Sequence, residues 1–195
     1  MKRRIAVGVC VFGFLGVSAA LTTSPASAQK ACAELTTLTI ANVTITSATA
    51  VAAGFKAPAG PGVPAPNEPL PAFCRVAGVE RPTSDSEIKF EVWMPAAGWN
   101  GKYEQVGNGG YAGSVPLFSM ASPVLRGYAT AGTDDGHAAS PEASWAIGHP
   151  EKLADFGYRA VHETSVAAKK VVEAFYGKSL ARSDFVGCSD GGRER

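Results

Sequence analysis

The chain has 195 residues, a formal net charge of +1 at pH 7 and 46% hydrophobic residues. This near-neutral balance argues against a nucleic-acid partner, because neutralising a phosphate backbone requires a basic stripe that the sequence lacks. A small molecule, or a polymer with neutral groups, fits the composition better. The length is enough for one domain with a core of its own.

The first residues predict an export signal. Lys2, Arg3 and Arg4 form a basic start, residues 5–21 carry no charge, and Ala26-Ser27-Ala28 has the small residues of a cleavage site. We therefore expect cleavage after Ala28 and a secreted or periplasmic product without a membrane segment. The alternative is an anchor retained at the N-terminus, although the apolar run is slightly short for a membrane span of about 20 residues.

Cysteine usage indicates an oxidising compartment. Cys10 leaves with the signal, and Cys32, Cys74 and Cys188 remain. A Cys32–Cys74 bridge would close a loop-rich segment and contribute roughly 3–4 kcal/mol to stability in the chain-entropy description. Cys188 then has no partner in this chain, and spacing alone allows it equally to be a buried free thiol.

The N-terminal part contains few regular elements. Alternating β-branched residues predict a strand over residues 38–46. Residues 58–71 contain six prolines and are predicted to be a connecting loop. We interpret residues 29–85 as a cover segment that the disulfide pins over the domain, and a linker between two domains is the alternative.

From residue 86 onward, predicted strands and helices alternate, which is typical of a doubly wound α/β sheet. The patterns predict strands over residues 88–94, 102–106, 126–132 and 184–186, a helix over 156–176 that Gly177 ends, and a further helix opening at Gly191.

One motif carries chemistry. Gly187-Cys188-Ser189-Asp190-Gly191 fits the G-x-S-x-G turn of serine hydrolases and sits between a predicted strand and a predicted helix, as that motif requires. Glycines allow the close backbone contacts of a strained turn that exposes the serine hydroxyl. Gly107-Asn108-Gly109-Gly110 follows an earlier strand and is the candidate for a second N–H donor to a developing oxyanion. An ordinary Gly-rich turn and a plain hairpin are the alternatives.

A serine nucleophile needs a general base that a carboxylate orients. The candidates are His137, His149 and His162, but on this kind of fold the base follows the nucleophile, and all three precede it. We expect His137 at the end of a strand, His149 in a loop and His162 on a helix, and assign none of them as the base.

Two other chemistries receive little support. Asp134 and Asp135 have no further ligands at suitable spacing, so no metal site is predicted. A thiol enzyme that uses Cys188 at a helix N-terminus is physically allowed, because that position lowers the pKa of a thiol in general.

Five stretches together resemble the tannase and feruloyl esterase family, secreted serine esterases that include MHETase-like enzymes. They are LPAFCRV (70–76), WNGKYEQVGNGGYAG (99–113), GYATAGTDDGH (127–137), DFGYRAVHETSVAAKKVVEAFYG (155–177) and GCSDGGRE (187–194). They cover most of the sequence after the signal in the family's order, so the resemblance is more specific than the serine motif alone.

The resemblance implies an α/β-hydrolase core with a serine, aspartate and histidine triad. Ser189 would be the nucleophile, and Cys188 would pair with a cysteine directly after the catalytic histidine. The backbone N–H of Asp190 and that of Gly109 or Gly110 would bind the oxyanion. Asp190 departs from the family, which often has threonine or glutamate at this place.

The family's catalytic aspartate, its His-Cys pair and a lid domain with a structural calcium would all lie beyond Arg195. We therefore expect an N-terminal fragment in which residues 86–195 are the first part of the catalytic domain, with no cofactor of its own. The implied function is a secreted carboxylic ester hydrolase. Its substrates would be small aromatic-acid esters or esters of plant polyphenols and cell walls.

Because the fragment lacks the general base and the aspartate that orients it, we expect the fragment alone to be inactive. A non-catalytic exported module or a degenerate remnant is the alternative function.

Overall fold

The computed structural model describes residues 29–60, 62–140 and 142–194. The predicted export signal, residues 1–28, lies outside the described residues. Among the residues that are described, no helix is both long enough and apolar enough to cross a membrane.

Six strands form one sheet in the order β1-β2-β3-β5-β4-β6. The strands are β1 (Val43–Val51), β2 (Phe73–Glu80), β3 (Ile88–Pro95), β4 (Lys102–Val106), β5 (Ala129–Thr133) and β6 (Arg182–Val186). β1, β2, β3 and β5 pair antiparallel, whereas β5, β4 and β6 run parallel. In open α/β sheets, ligands bind beyond the carboxyl ends of parallel strands, so the ends of β4, β5 and β6 are the place to look for a site.

Helices cover both faces of the sheet. They are α1 (Leu117–Leu125), α2 (Pro150–Ala154), α3 (Ala160–Tyr176) and α4 (Asp190–Arg193), with a π-helical turn at Asp155–Arg159 and 3-10 turns at Cys32–Thr37 and Ala143–Ala146. Val92 and Trp93 are neighbours on β3 and therefore point to opposite faces. Val92 packs in one core with Val172 of α3, and Trp93 packs in a second core with Met120 of α1. The predicted α/β layering is therefore present.

The segment before β2 is tied to the sheet covalently and by packing. The predicted Cys32–Cys74 disulfide is confirmed, and it joins the first 3-10 turn to β2. Ala57, just before the proline-rich loop, and Leu70 within it are buried in the same core as Trp93. The loop therefore covers the face of the sheet against which α1 packs.

Removing this disulfide is expected to lower the free energy of unfolding by about 4 kcal/mol. The bridge spans 42 residues, and opening a loop of that size restores this much conformational free energy to the unfolded chain. Urea unfolding of the Cys32→Ala/Cys74→Ala double variant against the oxidised wild type measures the effect. The double variant should be insensitive to added reductant at this site. Equal transition midpoints with equal m values would contradict the expected stabilisation.

Several predicted boundaries shift for identifiable reasons. The strand predicted over residues 38–46 is instead Val43–Val51, because Asn42 has φ 61° and turns the chain just before it. The strand predicted over 126–132 is Ala129–Thr133, because Gly127 has φ 76° and makes the turn after α1. The last predicted strand begins earlier, at Arg182, and the final helix begins at Asp190 rather than at Gly191.

A buried carboxyl group lies at the end of β2. Glu80 is 1% exposed, and neither of its side-chain oxygens has a hydrogen-bond partner among the described residues. Burial, followed by the nearby charges of Glu163, Asp134 and Asp155, raises the pKa of Glu80 to about 8. The folded protein therefore holds Glu80 neutral around pH 7.

Glu80→Gln is expected to flatten the pH dependence of stability. The pKa of Glu80 rises from 4.5 to about 8 on folding, so between these values the folded state binds a proton that the unfolded state has lost. Stability from this group must then fall as pH rises, by up to about 1.4 kcal/mol per pH unit. Urea unfolding at several pH values measures the slope, with exposed Glu68→Gln as the control. Parallel curves for wild type and Glu80→Gln would contradict the assignment.

Candidate active site

Ser189 lies on the turn between β6 and α4, and it is exposed. Its backbone has φ 60° and ψ −121°, a conformation that residues with a Cβ atom rarely adopt. α4 begins at the next residue, so the turn leads from the end of β6 directly into the N–H groups of a helix start. The strand, strained turn and helix that the serine motif predicts are all present.

Three glycines let the backbone after β4 and the turn after β6 pack directly against each other near Ser189. A Cβ atom built on Gly107 would lie 2.7 Å from the Cα atom of Gly191, and one built on Gly191 would lie 3.0 Å from the carbonyl oxygen of Asn108. A Cβ atom on Gly187 would overlap the carbonyl group of Gly191. The segment after β4 and the turn after β6 therefore touch backbone to backbone, which fixes one against the other.

The segment of residues 107–110, here called the donor loop, is anchored through Asn108. The Asn108 carbonyl accepts a hydrogen bond from the Gly191 N–H (3.0 Å), and the Asn108 side-chain amide donates to the Thr133 carbonyl (2.8 Å). The Asn108 N–H donates to both carboxylate oxygens of Glu194 (3.2 and 3.3 Å). Because β4 and β5 are parallel, the donor loop is not the plain hairpin considered as an alternative.

Three backbone N–H groups next to the Asn108–Gly191 contact have no acceptor among the described residues. The N–H groups of Gly109, Gly110 and Asp190 donate to no other group in the described part of the chain. Gly109 and Gly110 are exposed, and Gly110 has φ 64°. These N–H groups are therefore free to donate to a ligand, and their role as oxyanion donors stays a prediction.

Three carboxyl groups lie beneath the turn. One oxygen from each of Asp135, Asp190 and Glu194 lies within 4.8 Å of the others. The Arg193 guanidinium donates a hydrogen bond to Asp190 (2.7 Å), and the Asn108 N–H donates one to Glu194. A cation would compete with these donors for the same oxygens, so we assign no metal to the cluster. Glu194 lies within the GCSDGGRE stretch, but no sequence pattern predicts this cluster, because Asp135 is distant from Glu194 in the chain.

Arg193 also ties α4 to the π-helical turn before α3. It donates to the Gly157 carbonyl (2.9 Å) and stacks on the ring of Phe156, 4.1 Å from its centroid. Phe156 packs in turn against Trp145, whose ring lies parallel to that of His137 at 3.8 Å. Single π-helical turns are frequent at functional sites, and this one supplies both the ring and the carbonyl that hold Arg193.

None of the three histidines hydrogen-bonds to Ser189 in the described structure. His137 follows β5 and is 4% exposed, and burial lowers its pKa. The His149 ring lies 3.0 Å from an Asp85 oxygen at the surface, and His162 is exposed on α3. The three residues thus lie where the sequence places them: at a strand end, in the segment before a helix, and on a helix.

Cys188 precedes the serine, and its side chain is exposed. It forms no disulfide with another described cysteine. The alternative of a buried thiol is therefore wrong, and the thiol is accessible to a partner.

Comparison with known proteins decides the family. The family model for tannase and feruloyl esterase matches residues 74–195, well over half of the chain. The chain belongs to the tannase and feruloyl esterase family. The resemblance found in the five sequence stretches is thereby confirmed.

Individual relatives show how much of a longer protein the chain spans. An uncharacterized esterase of Xanthomonas campestris pv. campestris is 51% identical over 180 residues, which cover 91% of this chain and 30% of that protein. A probable feruloyl esterase B-2 of Aspergillus terreus is 37% identical over 121 residues, covering 62% of this chain and 23% of that protein. The chain thus spans less than a third of the length of these two relatives.

A solved structure from the tannase and feruloyl esterase family confirms the fold. The crystal structure of feruloyl esterase B from Aspergillus oryzae matches with a TM-score of 0.73 at 32% sequence identity. The match covers 84% of this chain and 32% of that one. The predicted α/β-hydrolase core is therefore confirmed, and the chain supplies part of it.

Proposed function

We propose that the protein is a secreted carboxylic ester hydrolase that cleaves esters of aromatic acids through a serine acyl-enzyme. The observation that carries the proposal is the strained, exposed turn at Ser189 beside unoccupied backbone N–H groups. Family membership supports ester chemistry. The description of two relatives as feruloyl esterases supports an aromatic acid in the substrate.

In the proposed reaction, the Ser189 oxygen attacks the ester carbonyl carbon while a general base takes the hydroxyl proton. The N–H of Asp190 and that of Gly109 or Gly110 donate hydrogen bonds to the resulting oxyanion. The bond to the alcohol then breaks, and the alcohol leaves with the proton from the base. Water attacks the acyl-serine by the same route and releases the aromatic acid.

The proposal assigns the general base and its orienting aspartate to residues outside this chain. No described histidine hydrogen-bonds to Ser189, and the chain spans only 30% of its Xanthomonas relative. A cysteine directly after that histidine would pair with the accessible Cys188. The chain alone is then inactive, since losing such a base lowers kcat by about a millionfold.

Export and metal content belong to the same proposal. The Cys32–Cys74 disulfide supports a secreted or periplasmic location, because disulfides persist in oxidising compartments. Cleavage of the signal would leave no membrane-spanning helix among the described residues. A structural calcium would belong to the lid domain, and no residue of this chain is assigned to it.

The test uses the complete product of the gene, including every residue encoded after the codon for Arg195. Methyl ferulate, methyl gallate and methyl butyrate are supplied, and the released acids are quantified by chromatography. A fluorophosphonate probe is applied in parallel, and the labelled peptide is identified by mass spectrometry. We expect release of ferulic or gallic acid in preference to butyric acid, with the label on Ser189.

The alternative outcomes separate the parts of the proposal. A probe that leaves Ser189 unlabelled contradicts the serine mechanism. Labelling together with faster release of butyric acid contradicts the aromatic substrate class. A gene that ends at this codon and encodes a folded but unreactive protein favours an exported non-catalytic module.

A further inference from the structure

We propose that Glu194 is a positioning residue for the donor loop, and that Asp135 holds a proton that lets the two carboxyl groups share one buried pocket. The catalytic consequence of this inference rests on the proposed function. The arrangement of the carboxyl groups is independent of it.

Glu194 is placed to fix the donor loop from below. Its two oxygens accept the Asn108 N–H at 3.2 and 3.3 Å, one residue before the unoccupied N–H groups of Gly109 and Gly110. The lack of a side chain at Gly107 makes this possible, since a Cβ atom there would lie 2.8 Å from a Glu194 oxygen. Glu194 therefore sets the direction in which the next N–H groups point.

Asp135 is the unusual member of the pair. It is 0% exposed, it has φ 61°, and neither of its carboxyl oxygens has a hydrogen-bond partner among the described residues. One of its oxygens lies within 4.8 Å of an oxygen of Glu194 and of one of Asp190. A buried carboxylate without a partner is costly, whereas a protonated one can donate its O–H to Glu194.

The balance of charges also favours a proton on Asp135. Three carboxyl groups face one cation, Arg193, which bonds to Asp190 at 2.7 Å and lies 3.9 Å from Asp135. Burial, followed by the neighbouring charge of Glu194, raises the pKa of Asp135 to about 9. The proton therefore resides on Asp135 around neutral pH, and Glu194 keeps its capacity to accept from Asn108.

The ionisable groups on the elements around the pair are Asp134 and His137 beside Asp135 in the chain, Asp190 and Arg193 on α4, and Asp155 and Arg159 on the π-helical turn. Asp134 accepts from the N–H groups of Lys89 and Gly136, and Asp155 pairs with Arg159. Asp135 and Glu194 therefore interact with each other and with Asp190, which is neutralised by Arg193. Above about pH 9, two like charges in contact would push Glu194 away from Asn108.

The first experiment compares Glu194→Ala, Glu194→Gln and the control Glu173→Ala in the complete gene product. We expect Glu194→Ala to lower kcat about a hundredfold with little change in KM, because the donor loop acts on the transition state. Glu194→Gln should keep most of the activity, since its amide oxygen can accept from Asn108 and its NH₂ group can donate to Asp135. Glu173 is exposed on α3 and its replacement should leave both constants unchanged.

The second experiment examines Asp135→Asn, which is nearly the same shape and cannot ionise. The wild-type kcat should fall as pH rises through about 9, while Asp135→Asn should hold its activity there. Infrared spectra at neutral pH should show, in addition to the contribution of neutral Glu80, a carbonyl band of a protonated carboxyl group that Asp135→Asn removes and Glu80→Gln leaves in place. Full activity of Glu194→Ala, or identical pH profiles and identical infrared bands for wild type and Asp135→Asn, would overturn the proposal.

Failure of the proposed function is distinguishable from failure of this inference. If the wild-type protein shows no turnover that depends on Ser189, the proposed serine esterase function is contradicted. The infrared band still decides whether Asp135 is protonated. Both near-isosteric variants, Glu194→Gln and Asp135→Asn, avoid cavities in the core, and their melting temperatures establish that they are folded.

Discussion

Replacing Ser189 by alanine is expected to lower kcat of the complete gene product by about a millionfold, to the level of a protein without a nucleophile. The fold should be unaffected, because the side chain is exposed on the turn and makes no hydrogen bond to a described residue. The measurement is release of ferulic acid from methyl ferulate under saturating conditions, together with the melting temperature.

Ser183 provides the matched control for this substitution. It is exposed on β6, on the strand that leads into the turn, and Ser183→Ala should retain the wild-type kcat. The proposal places the acyl-enzyme on Ser189, so the fluorophosphonate label should disappear from Ser189→Ala and persist in Ser183→Ala. Turnover in Ser189→Ala within tenfold of wild type would show that another residue is the nucleophile.

A methyl group added at Gly187 is expected to lower kcat about a hundredfold or more, because displacement of reacting groups by about 1 Å has this effect. The new Cβ atom would overlap the Gly191 carbonyl, which belongs to backbone and cannot rotate away as a side chain could. Either the serine turn or the start of α4 must move. Overpacking of this kind also destabilises the fold by about 1–3 kcal/mol.

Gly192 tests whether close contact, rather than loss of a glycine, causes the effect. It lies five residues further on, within α4, and a Cβ atom built there meets no atom within 4 Å. Gly192→Ala should therefore keep kcat, and alanine's helix propensity should add up to about 1 kcal/mol of stability. Similar kcat values for Gly187→Ala and Gly192→Ala would contradict the backbone packing described for this turn.

The serine turn was predictable because its signal is local. The glycines, the serine and the flanking strand and helix are contiguous in sequence, and each residue type has a steric reason for its position. The Cys32–Cys74 bridge was also predictable, since the one other cysteine after residue 28 stands beside Ser189.

Two elements escaped prediction because burial hides their pattern. β2 contains Arg75, which suggests a surface, but its guanidinium pairs with Glu91 at 2.7 Å and lies over the Trp93 ring. β2 also contains Gly78, which looks like a break, although the ring of Phe90 fills the space where a side chain would stand. α1 has no charged residue and contains Pro123, so it shows neither an amphipathic stripe nor an uninterrupted helical sequence.

The pair of Asp135 and Glu194 lies beyond local sequence reasoning for a different reason. The two residues are far apart in the chain, and α4 and the end of β5 bring them together. Their properties depend on burial and on which neighbour supplies a proton, and neither is encoded by spacing. The sequence shows that Gly107 has no side chain. Only the structure shows that the Glu194 carboxylate occupies the space where a side chain would stand.

The strand order also determines when the site can form during synthesis. β1, β2 and β3 follow one another in the chain and pair as neighbours, so this meander can fold while later residues are still on the ribosome. β6 pairs with β4 from a distant part of the chain, so the serine turn is completed only after α3 has emerged. We expect ribosome-bound chains ending near residue 140 to protect β2 from protease. Complete digestion of β2 at that length would show that the sheet folds in one late step, with the nucleophile and its scaffold appearing together.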